Sequence, residues 1–463
     1  MAGACVAVAV PAAAQDEQQE QRRPTGGPFS GLFKGSPKEQ PHTLDVKGSA
    51  FAAWDDNLLA QVPGAGSGEN LFDPRFRKSG VARGFQGAIT YGFHRNGTRS
   101  QFNVNANAGL QQYAGGLSTG SAWFHNYDGF ATLTTKVATR VSTSASAGVA
   151  YAPYFQYAPF LRNTTSEESP VGSDMGFAVS ASTIRATVAS LSVDDRLTRR
   201  SRISAGIGWE QRVMPENTSA NVENRLARAT FTHNVTRKLG FHVGYGVIEY
   251  RYSFEQDNAP LRTHNMDVGL DYGDGLMLTF GRHYSLSMAI SASLAKNGDP
   301  VSVLKTGKST AFVVNGSATL SRSIGQSWSA SLGYARGTYY AVGFREPMTT
   351  DSANVGIGGP LATRLHFSAG GGASRGRFLF SDYGNVISYT ASTRLTYALS
   401  TNLGLFAQAS YYDFSLPPGA VSLGFVPSLA RRSVTVGLST WVPLIKQRRQ
   451  RRDAGVQTTA GQP

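Results

Sequence analysis

Alternation with a period of two residues dominates this chain, most clearly over Val386–Phe414, VISYTASTRLTYALSTNLGLFAQASYYDF. Tyr389, Ala391, Leu395, Tyr397 and Leu399 fall on one parity, Ser388, Thr390, Ser392, Arg394 and Thr396 on the other. After Ser400-Thr401-Asn402 the pattern resumes, with Leu403, Leu405, Ala407 and Ala409 set against Gln408 and Ser410. Successive side chains of a strand point to opposite faces, so this period predicts strands with one apolar and one polar face. Two such strands joined by two or three residues make a β-hairpin.

The hairpin recurs from residue 43 to residue 444 and predicts about eighteen strands, with sixteen as the alternative count. One candidate runs from 263 to 281, followed by a turn at Gly281–Tyr284. Tight turns such as Thr139-Arg140, Thr363-Arg364 and Ser400–Asn402 take turns with longer connections such as Asp55–Gly80, Tyr154–Ser182 and Ser415–Ala430. Short turns at one end and long loops at the other are characteristic of outer-membrane barrels. The segments run to about a dozen residues, where soluble sheets average five or six.

Composition decides between a soluble sandwich and a membrane barrel only in part. The mean hydropathy is −0.23 and no run of eighteen apolar residues occurs, which excludes a spanning helix. A barrel escapes that test because its strands alternate. Phe102, Val104, Ala106, Ala108 and Leu110 oppose Asn103, Asn105, Asn107 and Gln111, as lipid outside and water inside require. Tyr113, Tyr151, Trp209, Tyr250, Tyr252, Tyr339, Tyr340, Tyr411 and Tyr412 gather near the loop-proximal ends and are expected to form an interfacial girdle. The expected fold is all-β: a transmembrane antiparallel up-and-down β-barrel, with short periplasmic turns and long extracellular loops.

Outside the barrel, residues 1–14 read as a signal peptide, with apolar Val6–Val10 before Ala12-Ala13-Ala14. Its start lacks the usual Lys or Arg, which leaves an upstream initiator open. The single cysteine, Cys5, lies in that segment, so a cleaved chain has no disulfide. Residues 15–42 read as a flexible periplasmic tail, and 445–463, with Lys446–Asp453, KQRRQRRD, as a basic periplasmic tail.

Three stretches resemble bacterial outer-membrane β-barrel proteins of the putative porin type, some of them associated with exopolysaccharide export. They are WDDN at Trp54–Asn57, LATRLHFSAGGG at Leu361–Gly372 and SVTVGLSTWVPL at Ser433–Leu444. The resemblance covers about 43–444 and is one of pattern. It implies a bacterial outer-membrane pore or conduit for small solutes or polysaccharide. Its implied partners are outer-membrane lipid and lipopolysaccharide, the barrel-insertion machinery and polysaccharide export components. Barrels of this type end on an aromatic residue read by that machinery; here Trp441 stands near the position and about twenty residues follow. A non-conducting barrel that binds or assembles within a polysaccharide secretion complex is the alternative.

The formal net charge of +14 is concentrated in the tail and turns, and no nucleic-acid motif accompanies it. Lumen-facing basics expected from strand parity are Lys136, Arg185, Arg228, Arg336 and Arg394. Opposed to few inward acids, they would bias a wet pore toward anions; the alternative is a solvated lumen wall neutralised by loop acids. Asn103, Asn105 and Asn107 form a polar ladder suited to lining a lumen. In general porins a third loop narrows the pore, and that resemblance makes Tyr154, Phe155, Tyr157, Arg162, Glu167 and Glu168 constriction candidates. Asp55, Asp56 and Asn57 offer oxygen ligands for a cation, although a simple turn is the preferred reading. His233 and His242 across one hairpin are the nearest approach to a metal pair. No nucleophile or metalloprotease motif occurs, so neither an enzyme nor a cofactor is expected.

Overall fold

Strand formation follows the alternation segment by segment. The computed structural model of the chain describes residues 42–56, 80–93, 99–114, 122–153, 183–213, 221–236, 239–252, 261–272, 278–280, 284–297, 310–325, 327–339, 348–380, 384–415 and 428–444. The first half of the wall is β1 (His42–Asp55), β2 (Gly80–Phe93), β3 (Ser100–Ala114), β4 (Ala122–Lys136), β5 (Val141–Pro153), β6 (Thr183–Asp195), β7 (Ser201–Val213), β8 (Val222–Asn234) and β9 (Leu239–Tyr252). The second half is β10 (Leu261–Tyr272), β11 (Leu278–Phe280), β12 (Tyr284–Asn297), β13 (Thr310–Ile324), β14 (Trp328–Tyr339), β15 (Met348–Ala362), β16 (Leu365–Phe378), β17 (Asn385–Ala398), β18 (Leu403–Ser415) and β19 (Ser428–Pro443). No helix occurs among the described residues.

Each long strand pairs antiparallel with its sequence neighbours, and β1 pairs with both β2 and β19, which closes the sheet. The three-residue β11 lies along the end of β12, while β10 pairs with β12 directly. The closed wall is therefore made of eighteen long strands. The seam runs from Asp45 opposite Pro443 to Asp55 opposite Ser433 without a register shift. Closure gives each of the eighteen long strands a partner on both sides, the condition a sheet must meet to cross hydrocarbon.

The apolar parity forms the outer surface. Phe85 is 66%, Phe312 69% and Val355 57% exposed, and the outward face of almost every strand carries such residues. An exposed apolar surface of this extent is an aggregation hazard in water and a match for lipid in a bilayer. A closed barrel, apolar outside and polar within, is the architecture of the bacterial outer membrane, and the chain belongs there.

Aromatic residues edge the apolar zone on both sides. Tyr127 and Tyr151 stack at 5.2 Å toward the rim of long connections. Toward the rim of short turns, Tyr91 meets Phe102 at 6.3 Å and Trp328 meets Phe367 at 6.2 Å. Of the expected girdle, Tyr151, Trp209 and Tyr411 stand on the outer parity. Tyr412 has the opposite parity, pairing with Arg431 and Thr390 along the inner face, and is corrected to the lumen. Tyr340 and the side chains of Tyr113, Tyr250, Tyr252 and Tyr339 lie outside the described residues.

The expected strand at 263–281 is corrected as well. It ends at Tyr272 and a strand is described again only at β11; Phe280 of β11 then pairs antiparallel with Tyr284, and of the expected turn at Gly281–Tyr284 residues 281–283 lie outside the described residues. Alternation in MDVGLDYGDGLMLTF runs on through the break, and Gly273 and Gly275 are the only punctuation. The turn at 399–402 is tight as expected: the amides of Leu399 and Ser400 both donate to the Leu403 carbonyl at 3.0 Å. Between β13 and β14, Gly325 turns the chain at φ 64°, a conformation that favours glycine. Signal peptide, both tails and the stretch 154–182 lie outside the described residues.

Candidate functional site: the lumen wall

Polar parity makes the inner face, and cross-strand pairing decides which of its groups meet. Asn103, Asn105 and Asn107 stand on the inner face of β3. The Asn105 side-chain carbonyl accepts from the Thr90 hydroxyl at 3.2 Å, and the Asn107 amide donates to Asp128 at 2.8 Å. Hydroxyls continue the surface around the wall, in pairs such as Ser146 with Ser190 at 2.6 Å and Ser374 with Ser388 at 2.6 Å.

Charged groups of the inner face are held in cross-strand clusters. On β8–β10, Arg228 donates to Asp267 at 2.7 Å, and His242 Nε2 lies 3.3 Å from the same carboxylate. Glycine makes this possible: a Cβ at Gly244, opposite Asp267, would lie 2.4 Å from Asp267 Oδ1. Toward the long-connection rim, Arg212 pairs with Glu210, 2% exposed, whose second oxygen accepts from Asn224 at 2.9 Å. Near the other rim Arg202 pairs with Asp194 at 2.9 Å. At the seam, the fully buried Asp55 receives Arg431 Nε at 2.6 Å, and the Arg431 Nη2 contact is closer still. Arg394 lies over the Phe406 ring at 4.4 Å and donates to Gln408 at 3.3 Å. Lys136 stands on the inner parity of β4 at the short-turn rim and is exposed.

Two expected lumen residues lie outside. Arg185 pairs with Tyr151 and shares its parity with exposed Leu191 and Val193. Arg336 continues the outer row of Leu332 and Tyr334 and meets Asp351 there at 3.5 Å. The physical reason is position: both sit within four residues of the long-connection rim, where a guanidinium reaches the headgroup layer without entering hydrocarbon. The expectation of few inward acids is also corrected. Asp55, Asp128, Asp194, Glu210 and Asp267 all stand on the inner face, and four of them hold an arginine.

The cation idea at Trp54–Asn57 is corrected in the same way. Asp55 is committed to Arg431, and Asp56 accepts the Arg432 amide at 2.7 Å on the outer side of the seam. Asn57 lies outside the described residues, and no group of three metal-ligating side chains occurs among those described. His233 and His242 occupy opposite faces of the wall, because His233 pairs with Phe241 and Thr232 with His242. The constriction candidates Tyr154, Phe155, Tyr157, Arg162, Glu167 and Glu168 lie outside the described residues. Trp441 pairs with Lys47 on the inner parity of β19.

Comparison with known proteins rests on shape. No protein-family model and no curated protein matches the chain. Among solved structures, OccK8 (OprE) of Pseudomonas aeruginosa aligns at 12% identity and TM-score 0.40, covering 87% of this chain and 98% of its own. OpdQ of the same organism aligns at 12% identity and TM-score 0.41, over 88% and 100%. The siderophore receptor PirA, also from that organism, aligns at 9% identity and TM-score 0.40, over 88% and 81%.

The clusters that sequence reasoning missed were within reach of it. Glu210, Arg212 and Asp267 fall on the polar parity of their strands, which marks them as inward. What alternation does not carry is the partner, because Asp55 and Arg431 are 376 positions apart in the chain.

Proposed function

We propose that the protein is a diffusion pore of the bacterial outer membrane, passing small polar solutes through a hydroxyl- and ion-pair-lined lumen. The observation that carries this reading is the closed wall of eighteen long strands with a polar inner face. A barrel of eight strands fills its interior with side chains, whereas sixteen to eighteen leave an aqueous channel. Lumen hydroxyls and amides replace part of a solute's hydration without binding it tightly. Arginines tethered to carboxylates present alternating charge instead of a field of one sign.

The test is conductance of the purified, folded chain in planar bilayers. Discrete steps that grow with salt concentration are expected; protein that inserts with a barrel's heat-dependent gel mobility but conducts nothing would sink the pore reading. The polysaccharide version adds a demand that no residue among those described meets specifically, and the small-solute version stands without it.

A further inference from the structure

Outside the wall, charge is distributed unevenly between the two rims. Within the described strands, Arg83, Arg185, Arg336, Arg375, Arg377 and Arg432 take outer positions within about one turn of the long-connection rim. Arg225, Arg251 and Arg262 join them on β8–β10, against the carboxylates Glu223, Glu249, Asp351 and Asp413. The outer strand positions at the opposite rim hold only Arg322 and Asp195 as charged residues among those described. The densest part of the belt is a checkerboard. Trp209, Arg225, Glu249 and Arg262 form one cross-strand row; Gln211, Glu223 and Arg251 form the next.

In that checkerboard Glu223 bonds Arg225 at 2.9 Å and Trp209 Nε1 at 3.0 Å, while Glu249 bonds Arg251 at 2.9 Å and Arg262 at 3.0 Å. The carboxylates are the minority and the less exposed members. Arg225, Arg251 and Arg262 remain 53%, 47% and 60% exposed. Each glutamate thus fixes the orientation of its arginines and leaves guanidinium N–H groups facing away from the wall. An array of oriented guanidiniums is matched to phosphate, which accepts such donors in bidentate pairs. Directly below it lies the apolar band, with Val243 and Met266 on the same outer face, matched to acyl chains.

From this juxtaposition we infer that the outer face of β8–β10 binds the phosphorylated glycolipid of the outer leaflet, lipopolysaccharide. Glu223 and Glu249 position Arg225, Arg251 and Arg262 on its lipid A phosphates. The inference rests on the barrel's place in the outer membrane but not on conduction.

The test uses the full chain in detergent, titrated with deep-rough lipopolysaccharide and with the same lipid enzymatically dephosphorylated, and read by native mass spectrometry. The wild-type barrel is expected to prefer the phosphorylated lipid by about tenfold, the effect of losing one charge-assisted contact. The triple variant R225Q/R251Q/R262Q, checked for heat-dependent gel mobility, should lose that preference. Should the triple variant fold poorly, E249Q tests the same site: it keeps every arginine but releases Arg251 and Arg262 from their shared carboxylate, and should weaken the preference without abolishing it. R375Q/R377Q, on β16, should retain it. No preference in the wild type, an unchanged preference in the triple variant or in E249Q, or loss in R375Q/R377Q equal to loss in the triple variant would each overturn the inference.

Discussion

Asp55 shows how a single side chain can hold a closed sheet. It is fully buried on the last inner position of β1, it is bonded by Arg431 from β19, and the two strands are the ones that must find each other to close the wall. Its neighbour Asp56 ties the outer side of the same junction through the Arg432 amide. Removing one member of a buried ion pair leaves the other charge without its partner, a loss of about 3–5 kcal/mol, whereas replacing both by apolar residues is far milder. Asp55→Ala is therefore expected to lower the temperature at which the barrel shifts to its unfolded gel mobility. Asp55→Leu combined with Arg431→Met should recover most of that loss. Equal losses in the single and double variants would place the stability of the seam in its backbone ladder alone. The sequence shows an acid and a base at strand ends; only the ring topology brings them together.

At the scale of the strand, alternation carries most of the fold. The bounds of the hairpin β17–β18 are legible almost to the residue, since Ser400–Asn402 interrupts the alternation cleanly, although Val386, Phe406 and Tyr412 put apolar or aromatic side chains on the inner parity. Legibility failed where the parities mix. In β6, Ile184, Ala186 and Val188 lie on one face and Leu191 and Val193 on the other, so Arg185 has no clear side until the register with Tyr151 is known. In β14 the outer row Leu332, Tyr334 runs on to Arg336, and treating a basic residue as inward overrode the parity. The two faces predict different tolerance. Val355, at the middle of β15 on the outer face, should tolerate arginine poorly: Val355→Arg is expected to cost about 2–4 kcal/mol in denaturant unfolding from lipid vesicles. Thr319→Arg, on the inner face of β13, should change stability by much less, since the new charge meets water. Similar losses for the two would mean that the faces are not lipid and water.

For the whole molecule, the consequence of paired lumen charges is weak ionic selectivity. Lumen-facing basics alone argued for anions, but Arg202, Arg212, Arg228 and Arg431 each meet a carboxylate on the same face. Opposite charges a few ångströms apart cancel at the distance of a hydrated ion in mid-channel, and salt screens the remainder beyond about 10 Å at 0.1 M. In a bilayer with a salt gradient the reversal potential is thus expected close to zero. Selectivity should appear when one pair is broken. Asp267→Asn removes the carboxylate shared by Arg228 and His242 while keeping its shape beneath Gly244, and so takes one negative charge from beside Arg228 on the wall. The reversal potential should then move toward the anion side, most strongly at low ionic strength, with single-channel conductance in high salt close to wild type. The reciprocal change, Arg228→Gln, should move it toward cations. Shifts of the same sign in both variants, or none in either at low salt, would mean that permeating ions do not pass this cluster and that the conducting path lies against another part of the wall.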